Sequence, residues 1–210
     1  MYIRSYHREP DPSVIRQFIQ DHPFAVLVSC GGSYPAASHI PIEVLDQPEG
    51  GILLMGHIAR ANPQLEQISL HREVLVIFQG PQCYVSASWY LDPGVASTWN
   101  YLAVHASGKI SLVDETATLA HLRRLTDRHE SISEHPTSVD RMPEEYITKN
   151  LQAIAGFEIR VERLDNTWKL SQNKDQQTRD RIISELLKIP DPNARAIASE
   201  MSGRESLGQE

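Results

Sequence analysis

The sequence is poor in the features that mark membrane-spanning, secreted and disulfide-bonded proteins. No apolar run approaches the roughly 20 residues that a membrane-spanning helix requires. The segment from Met1 to His7 lacks the charged-then-apolar pattern of a secretory signal, so a cytoplasmic protein is expected. Cys30 and Cys83 are the only cysteines, and two isolated thiols in such a chain favour buried, inert side chains over a disulfide or a metal pair.

Several catalytic and nucleotide-binding motifs are missing as well. The nine histidines include no His-x-x-x-His or His-Glu-x-x-His pair, and no Cys-x-x-Cys is present, so the sequence gives little support for a zinc site. The Gly-x-Ser-x-Gly elbow, the phosphate-binding loop Gly-x-x-x-x-Gly-Lys-Ser/Thr and the Gly-x-Gly-x-x-Gly fingerprint are also missing. A nucleotide bound in the Rossmann manner is therefore not expected.

Positive charge is scarce and scattered. The formal net charge is −7, and the lysines and arginines form no block. Because DNA-binding proteins draw much of their affinity from cations that neutralise phosphates, direct DNA binding is not expected.

What is present is a succession of strand patterns with few helices. With 210 residues, the chain is long enough for one domain with a proper core. Apolar or alternating runs predict strands at 24–28, 37–44, 52–58, 74–78, 98–107, 110–113, 154–164 and 167–170. Gly31-Gly32-Ser33 and Gly50-Gly51 predict turns, and Gly80-Pro81 is expected to close the fourth strand.

Helices are predicted between these strands and at the C-terminal end. They are expected to start near Asp11, Asn62, Asp114 and Met142, and a last one carries Ile182 to Leu187. From Asp191 the chain is polar and is expected to be a mobile tail. The pattern predicts a mainly β, α+β protein: an antiparallel barrel with peripheral helices, without the strand–helix alternation of a parallel sheet.

The segment from Gly56 to Gln64 is the first candidate site. A strand ends there, Arg60 follows, and a helix begins at Asn62-Pro63. Free N–H groups at a helix start and a guanidinium both suit phosphate oxygens. An ordinary capped helix beside a solvated arginine would give the same pattern.

Three further segments carry polar or aromatic groups suited to a planar ligand. Ser38-His39-Ile40 could offer side-chain donors, and Thr98-Trp99-Asn100-Tyr101 combines two rings with an amide. Gln172-Asn173-Lys174 offers amides and a cation. Each also has a purely structural explanation: a half-buried histidine, core or interface aromatics, and a solvated linker.

Seven segments occur in a fixed order: Met1-Tyr2, His39-Ile40-Pro41, Gly56 to Gln64, Ile77 to Pro81, Ser88-Trp89-Tyr90, Thr98 to Tyr101 and Gln172-Asn173-Lys174. Together they resemble the PaiB family, also described as FMN-binding negative transcriptional regulators, over roughly residues 1–175. The resemblance implies the FMN-binding split barrel shared with pyridoxamine phosphate oxidases and flavin reductase-like proteins. It also implies a homodimer with two FMN sites across the subunit interface.

The resemblance implies roles for the candidate segments. Arg60 and the turn to Pro63 would hold the FMN phosphate, and the segments at Ser38 and Gly56 would line the ring and ribityl chain. The segments at Thr98 and Gln172 would come from the partner subunit. The expected cofactor-binding residues are Ser38, His39, Ile40, Gly56, His57, Ala59, Arg60, Asn62, Thr98, Trp99, Asn100, Tyr101, Gln172, Asn173 and Lys174.

The implied domain layout is a split barrel at 1–174, a helix at 175–190 packing on it, and a polar tail at 191–210. The sequence departs from the family at Arg4, Gln82 and Ala87 and lacks an expected glycine in the last helix. Two functions stay open: a regulator that acts indirectly or senses redox state, and an FMN-dependent oxidoreductase. No residue stands out as an acid or base; His39, His57 and His105 are the candidates.

Overall fold

The computed structural model of the protein describes residues 1–46, 51–92 and 94–204. Gly50 of the predicted turn and the last six residues of the predicted tail lie outside the described residues. Within them, seven strands form one sheet: β1 (Phe24–Ser29), β2 (Ala36–Pro41), β3 (Glu43–Asp46), β4 (Ile52–Ala59), β5 (Glu73–Val85), β6 (Thr98–Leu112) and β7 (Ile154–Lys169).

The strand order is β2-β1-β5-β6-β7-β4-β3, which leaves β2 and β3 at the edges. Strand β1 pairs antiparallel with β2 and β5, and strand β4 pairs antiparallel with β3 and β7. Side chains of β1 alternate between buried and partly exposed, as expected of a strand with one face on the core. The predicted mainly β, antiparallel architecture is confirmed.

Six helices accompany the strands in the described part of the chain: α1 (Pro12–Asp21), α2 (Gln64–Leu70), α3 (Glu115–Glu130), α4 (Glu144–Ala153), α5 (Gln176–Leu187) and α6 (Pro192–Ser202). Asp114 and Asp175 cap α3 and α5 through side-chain oxygens that accept backbone N–H groups. Among the described residues, no helix has the length and apolar character needed to cross a membrane.

The chain divides into two compact units, each assembled from segments that are distant in sequence. Unit 1 comprises Met1–Phe18, Gln79–Val104 and Asp165–Glu210, and unit 2 comprises Ile19–Phe78 and His105–Leu164. Strands β5, β6 and β7 each contribute residues to both units.

The Gly80-Pro81 pair does not close a strand, contrary to the prediction. Strand β5 continues through it, and alternation resumes with buried Cys83 and Val85. Pro81 removes one backbone donor from the ladder but does not break the strand. The strands predicted separately on either side of Gly108 and of Asp165 are likewise continuous in β6 and β7. Sheet pairing therefore overrides the local turn signal at these positions.

The prediction of a mobile tail is wrong for Pro192–Ser202, which forms α6. Asp191 caps this helix by accepting a hydrogen bond from the Asn193 N–H at 2.9 Å, and Pro192 suits the first turn. Four of its apolar residues recur at helical spacing and are buried: Ala194, Ile197, Ala198 and Met201. These residues form a narrow apolar face of α6 that is buried within unit 1.

The turn after β1 fixes the position of α2 in unit 2. A Cβ atom at Gly31 would lie 2.3 Å from the carbonyl oxygen of Gln67, so a side chain there would collide with the helix backbone. Ser29 Oγ also donates to Gln67 Oε1 at 3.0 Å. This close approach holds α2, and the turn that precedes it, against β1.

Candidate functional site

The turn between β4 and α2 brings Asn62 to Ser38. The N–H of Asn62 donates to the carbonyl of Ala59 at 2.9 Å, which closes a tight turn. Asn62 Oδ1 accepts the N–H of Gln64 at 2.9 Å, and Asn62 Nδ2 donates to Ser38 Oγ at 2.9 Å. The asparagine therefore caps α2 and also joins two segments that the sequence singled out separately.

Arg60 lies in the same turn with its side chain exposed. Its backbone N–H donates to the carbonyl of Ala153 at 2.9 Å, which anchors the residue. Within the described ranges, its guanidinium has no acidic partner and no acceptor. Because α2 has seven residues, its dipole adds little, and the guanidinium is the principal anion-binding group of this turn.

Gln64, which the sequence analysis did not assign to the site, carries an unsatisfied buried acceptor. Its Nε2 donates to the carbonyls of Leu27 at 3.0 Å and Ala36 at 3.1 Å, while its Oε1 has no partner in the described structure. A buried acceptor without a donor is costly. Together with Arg60, Ser38 and Asn62 it forms a set suited to a phosphate joined to a polyhydroxyl chain, so these residues fit FMN.

On β2, His39 and Ile40 point to opposite faces. Ile40 is buried, whereas His39 is exposed and its ring stacks on that of Phe24, with centroids 6.2 Å apart and an interplanar angle of 28°. Phe24 is itself 67% exposed. His39 on the edge strand β2 and Phe24 on β1 thus form an exposed, stacked pair of rings.

Gly56 and His57 have structural partners that the sequence did not reveal. A Cβ atom at Gly56 would lie 2.7 Å from Cζ of Phe157, so core packing explains this glycine. His57 Nδ1 lies 3.3 Å from Nε2 of His121 on α3. Among the described residues, no hydrogen bond or ring contact joins either residue to Ser38 or Arg60. Ala59, at the end of β4, is exposed.

His57 is the inner end of a chain of charged and polar groups. His121 Nδ1 lies 3.0 Å from Glu43 Oε2, and Arg124 donates to both carboxylate oxygens of Glu43 at 2.7 and 2.9 Å. Burial acts to raise the pKa of Glu43, but hydrogen bonds from His121 and Arg124 outweigh it and lower that pKa. Burial, and then the charge on His121, lowers the pKa of His57.

Four of the expected cofactor-binding residues line a cavity of about 500 Å³ in unit 1: Thr98, Tyr101, Asn173 and Lys174. We call it the cationic cavity, because Arg4 and Lys169 also line it. Asn100 and Gln172 are buried and build the adjoining turn. Asn100 Oδ1 accepts from Ser171 Oγ at 3.1 Å, and Gln172 Oε1 accepts the Leu170 N–H at 2.8 Å.

Trp99 is exposed and lies edge-on to another exposed ring. Its ring centroid is 6.0 Å from that of Tyr84, and the two side chains are 54% and 50% exposed. The structure thus separates Trp99 from the cavity-lining residues on either side of it.

The family model described as "Putative FMN-binding domain" matches residues 1–163. The protease synthase and sporulation protein PAI 2 of Bacillus subtilis is 32% identical over 204 residues, which cover 97% of this chain and 98% of that protein. An uncharacterised protein of Emericella nidulans, AN0679, is 33% identical over 240 residues, covering 95% of each chain.

Solved structures share the fold at low sequence identity. The FAD and heme binding protein from Mycobacterium smegmatis aligns with a TM-score of 0.58 at 15% identity, covering 82% of this chain and 78% of that one. The flavocytochrome Anf3 from Azotobacter vinelandii aligns with a TM-score of 0.55 at 15% identity, covering 80% and 72%. The predicted antiparallel split β-barrel of the FMN-binding type is confirmed.

Proposed function

The chain belongs to the PaiB family of FMN-binding split-barrel proteins, and on that premise we propose that it is a homodimer that holds FMN at the subunit interface and acts as a flavin-dependent regulator. The observation that carries the proposal is the guanidinium of Arg60, which has no partner among the described residues and belongs to the same turn as Asn62, itself bonded to Ser38. FMN is the cofactor, and it supplies one- and two-electron redox chemistry when bound.

Residues of unit 2 would hold the phosphate end of FMN. Arg60 neutralises the phosphate, as a planar guanidinium does for oxyanions generally. Ser38 and Asn62 offer a hydroxyl and an amide, and Gln64 Oε1 is an acceptor for a ribityl hydroxyl. His39 and Ile40 on the edge strand would face the ring, and Ala59 leaves the approach to Arg60 open.

Residues of unit 1 would reach the same FMN from the other subunit. The segments concerned are Thr98–Tyr101 and Gln172–Lys174. The exposed rings of Trp99 and Tyr84 support an interface there, because aromatic side chains are enriched in subunit contacts. Burial of this exposed pair of rings would also contribute favourable free energy to association.

Mixed dimers test this division of the site. One subunit carries Arg60→Ala and the other Lys174→Ala, with different affinity tags to isolate the mixed species. If each site combines Arg60 of one chain with Lys174 of the other, the mixed dimer has one intact and one doubly defective site. Equilibrium dialysis should then give one tightly bound FMN per mixed dimer. The alternative result is a mixed dimer that binds no FMN tightly while both parent variants bind it weakly. That result would mean that both residues belong to a site within one chain.

The regulatory role is supported by the name of the Bacillus subtilis relative, a protease synthase and sporulation protein. With a net charge of −7, the chain is suited to act through a partner protein or through its redox state rather than by binding DNA phosphates. Cys30 and Cys83 are both free thiols, which supports a cytoplasmic location. Cys83 is buried as predicted, whereas the prediction of a buried side chain is wrong for Cys30, which is exposed.

An FMN-dependent oxidoreductase is the second candidate, and the cationic cavity favours it. A cavity of about 500 Å³ is the size of many small-molecule sites. Stopped-flow mixing of the holoprotein with NADH or NADPH separates the two functions. Rapid bleaching of the flavin absorbance supports the enzyme, whereas a flavin that stays oxidised supports a regulator that does not turn over.

A further inference from the structure

The cationic cavity of unit 1 gathers three positive side chains without a single carboxylate. Arg4, Lys169 and Lys174 all line it, and no described lining residue is an aspartate or glutamate. Their contacts are neutral. Lys169 Nζ donates to Thr98 Oγ1, Arg4 Nη1 donates to Tyr6 Oη at 2.6 Å, and Lys174 Nζ lies 4.7 Å from the Tyr90 ring centroid. These three cations therefore have no acidic partner in the part of the chain that the structure describes.

The excess positive charge contributes to lowered pKa values for two ionisable groups of the cavity. Burial, and then the neighbouring Arg4, lowers the pKa of Lys169. Burial, followed by Lys169 and Arg4, lowers the pKa of His7 to about 4. An anion in the cavity would oppose both electrostatic effects, because an opposite charge favours the protonated form of each group.

Aromatic rings form much of the remaining lining. Tyr6, Tyr90 and Tyr101 contribute rings, and His7 is packed edge-on against Tyr6 with ring centroids 4.4 Å apart. Aromatic faces favour planar ligands through stacking and edge contacts. The cavity thus combines a polar anchor for an oxyanion with apolar walls for a flat body.

The turn that closes one side of the cavity is held in an uncommon backbone conformation. Ser171 has φ of 57°, the left-handed region that residues other than glycine rarely adopt. It is buried, bonded to Asn100, and its carbonyl accepts the N–H of Lys174 at 3.1 Å. Strained residues of this kind cluster at ligand sites, where the surrounding structure holds them in place.

We propose that the cationic cavity binds a small aromatic oxyanion, a carboxylate or a phosphate. Its lining shares Thr98, Tyr101, Asn173 and Lys174 with the residues assigned to the FMN of the partner subunit. A role for this ligand as the substrate or effector of the flavin therefore rests on the proposed function. The binding itself does not depend on it.

Calorimetric titration of the FMN-loaded protein with phenyl phosphate and with benzoate tests the proposal. Both should bind, and the phosphate dianion should bind more tightly than the carboxylate because three cations face it. Benzyl alcohol, which keeps the ring, and inorganic phosphate, which keeps the charge, should each bind at least tenfold more weakly than phenyl phosphate. Equal binding of phenyl phosphate and benzyl alcohol would overturn the proposal.

Two variants locate the binding. Lys169→Gln and Arg4→Gln should each weaken phenyl phosphate binding at least tenfold and leave the FMN content, read from flavin absorbance, unchanged. Lys109→Gln is the matched control, since Lys109 lies in unit 2 and pairs with Glu162 at 3.2 Å. Loss of FMN from both cavity variants would assign the cavity to the cofactor and contradict the inference. Wild-type protein that binds phenyl phosphate but no FMN would contradict the proposed function and support the cavity assignment.

Discussion

His57 Nδ1 lies 3.3 Å from His121 Nε2, and this pair is the inner end of the chain that runs through Glu43 to Arg124. An ionised Glu43 accepts the Nδ1–H of His121, and in the neutral form of His121 its Nε2 accepts the Nδ1–H of His57. This assignment follows from the hydrogen-bond network. One carboxylate thereby fixes the tautomers of two histidines on different elements.

Glu43→Gln should destabilise the protein by about 1–3 kcal/mol at pH 7, because it leaves buried hydrogen-bonding groups without a charged acceptor. The measurement is the free energy of unfolding in urea. Arg124→Met should cost less, about 1 kcal/mol at most, because the side chain of Arg124 is 43% exposed. Arg123→Met, which removes the more exposed pair with Asp140, is the control. An unchanged stability of Glu43→Gln would show that the chain is not a stabilising network.

The stability that Glu43 contributes should also depend on pH. Because the folded-state pKa of Glu43 is lowered from its ordinary value of 4.5, its contribution is present above that value and is lost as the pH falls through the folded-state pKa. The difference in unfolding free energy between wild type and Glu43→Gln should therefore shrink below pH 4.5. A difference that grows in acid contradicts this sign.

His7 should make a second contribution to folding stability that is lost at acidic pH. Its pKa is lowered from 6.5 to about 4 in the folded state, mainly by burial. The unfolded chain thus binds the proton more readily, so stability falls as the pH drops from 6.5 towards 4. In His7→Gln, the loss of stability over this interval should be smaller than in wild type. Urea unfolding at closely spaced pH values measures it, with the exposed His129→Gln as the control. Parallel curves for wild type and His7→Gln would rule out the effect.

Arg179 should be the main anchor of α6. Its side chain is fully buried and donates to the carbonyls of Leu170, Met201 and Arg204, each at 2.8 Å, while its Nε has no partner in the described structure. Burial lowers its pKa. Two of its acceptors lie at the C-terminal end of α6, where a cation is favourable.

Arg179→Gln should therefore cost about 3 kcal/mol or more, since a shorter neutral side chain leaves buried carbonyls without donors. Arg181→Gln on the same helix is the control and should change stability by less than about 0.5 kcal/mol, because Arg181 is exposed. Hydrogen exchange should show faster exchange across α6 in Arg179→Gln alone. Protection of α6 equal to that of wild type would assign its docking to the apolar face.

The predictable part of the fold follows from local patterns. The apolar runs at 24–28 and 52–58 predict strands because both have the length of a strand and lie beside turn signals, and the structure has β1 and β4 there. The helix of Pro192–Ser202 was also readable, since an aspartate cap and a proline precede apolar residues at a spacing of three and four. The polar composition of this segment concealed that signal.

Other features depend on contacts between residues that are distant in sequence. Glu43 and His121 stand 78 positions apart, and no local motif joins them. The amide of Gln64 is positioned by β1 and β2, whose carbonyls accept from its Nε2, and its Oε1 has no partner among the described residues. The cationic cavity combines Arg4 with Lys169 only after folding. Such sites cannot be predicted from hydrophobic periodicity, because that pattern describes only one helix or strand at a time.

The most direct test of the account is a titration of flavin-free protein with FMN, followed by flavin absorbance and by calorimetry. Wild type should bind one FMN per subunit. Arg60→Ala should weaken binding by about 1.5–3 kcal/mol, the typical worth of a hydrogen bond to a charged group, while Arg72→Ala, an exposed arginine outside the site, should bind FMN like wild type. An Arg60→Ala variant with wild-type affinity for FMN would contradict the assignment of the phosphate to Arg60.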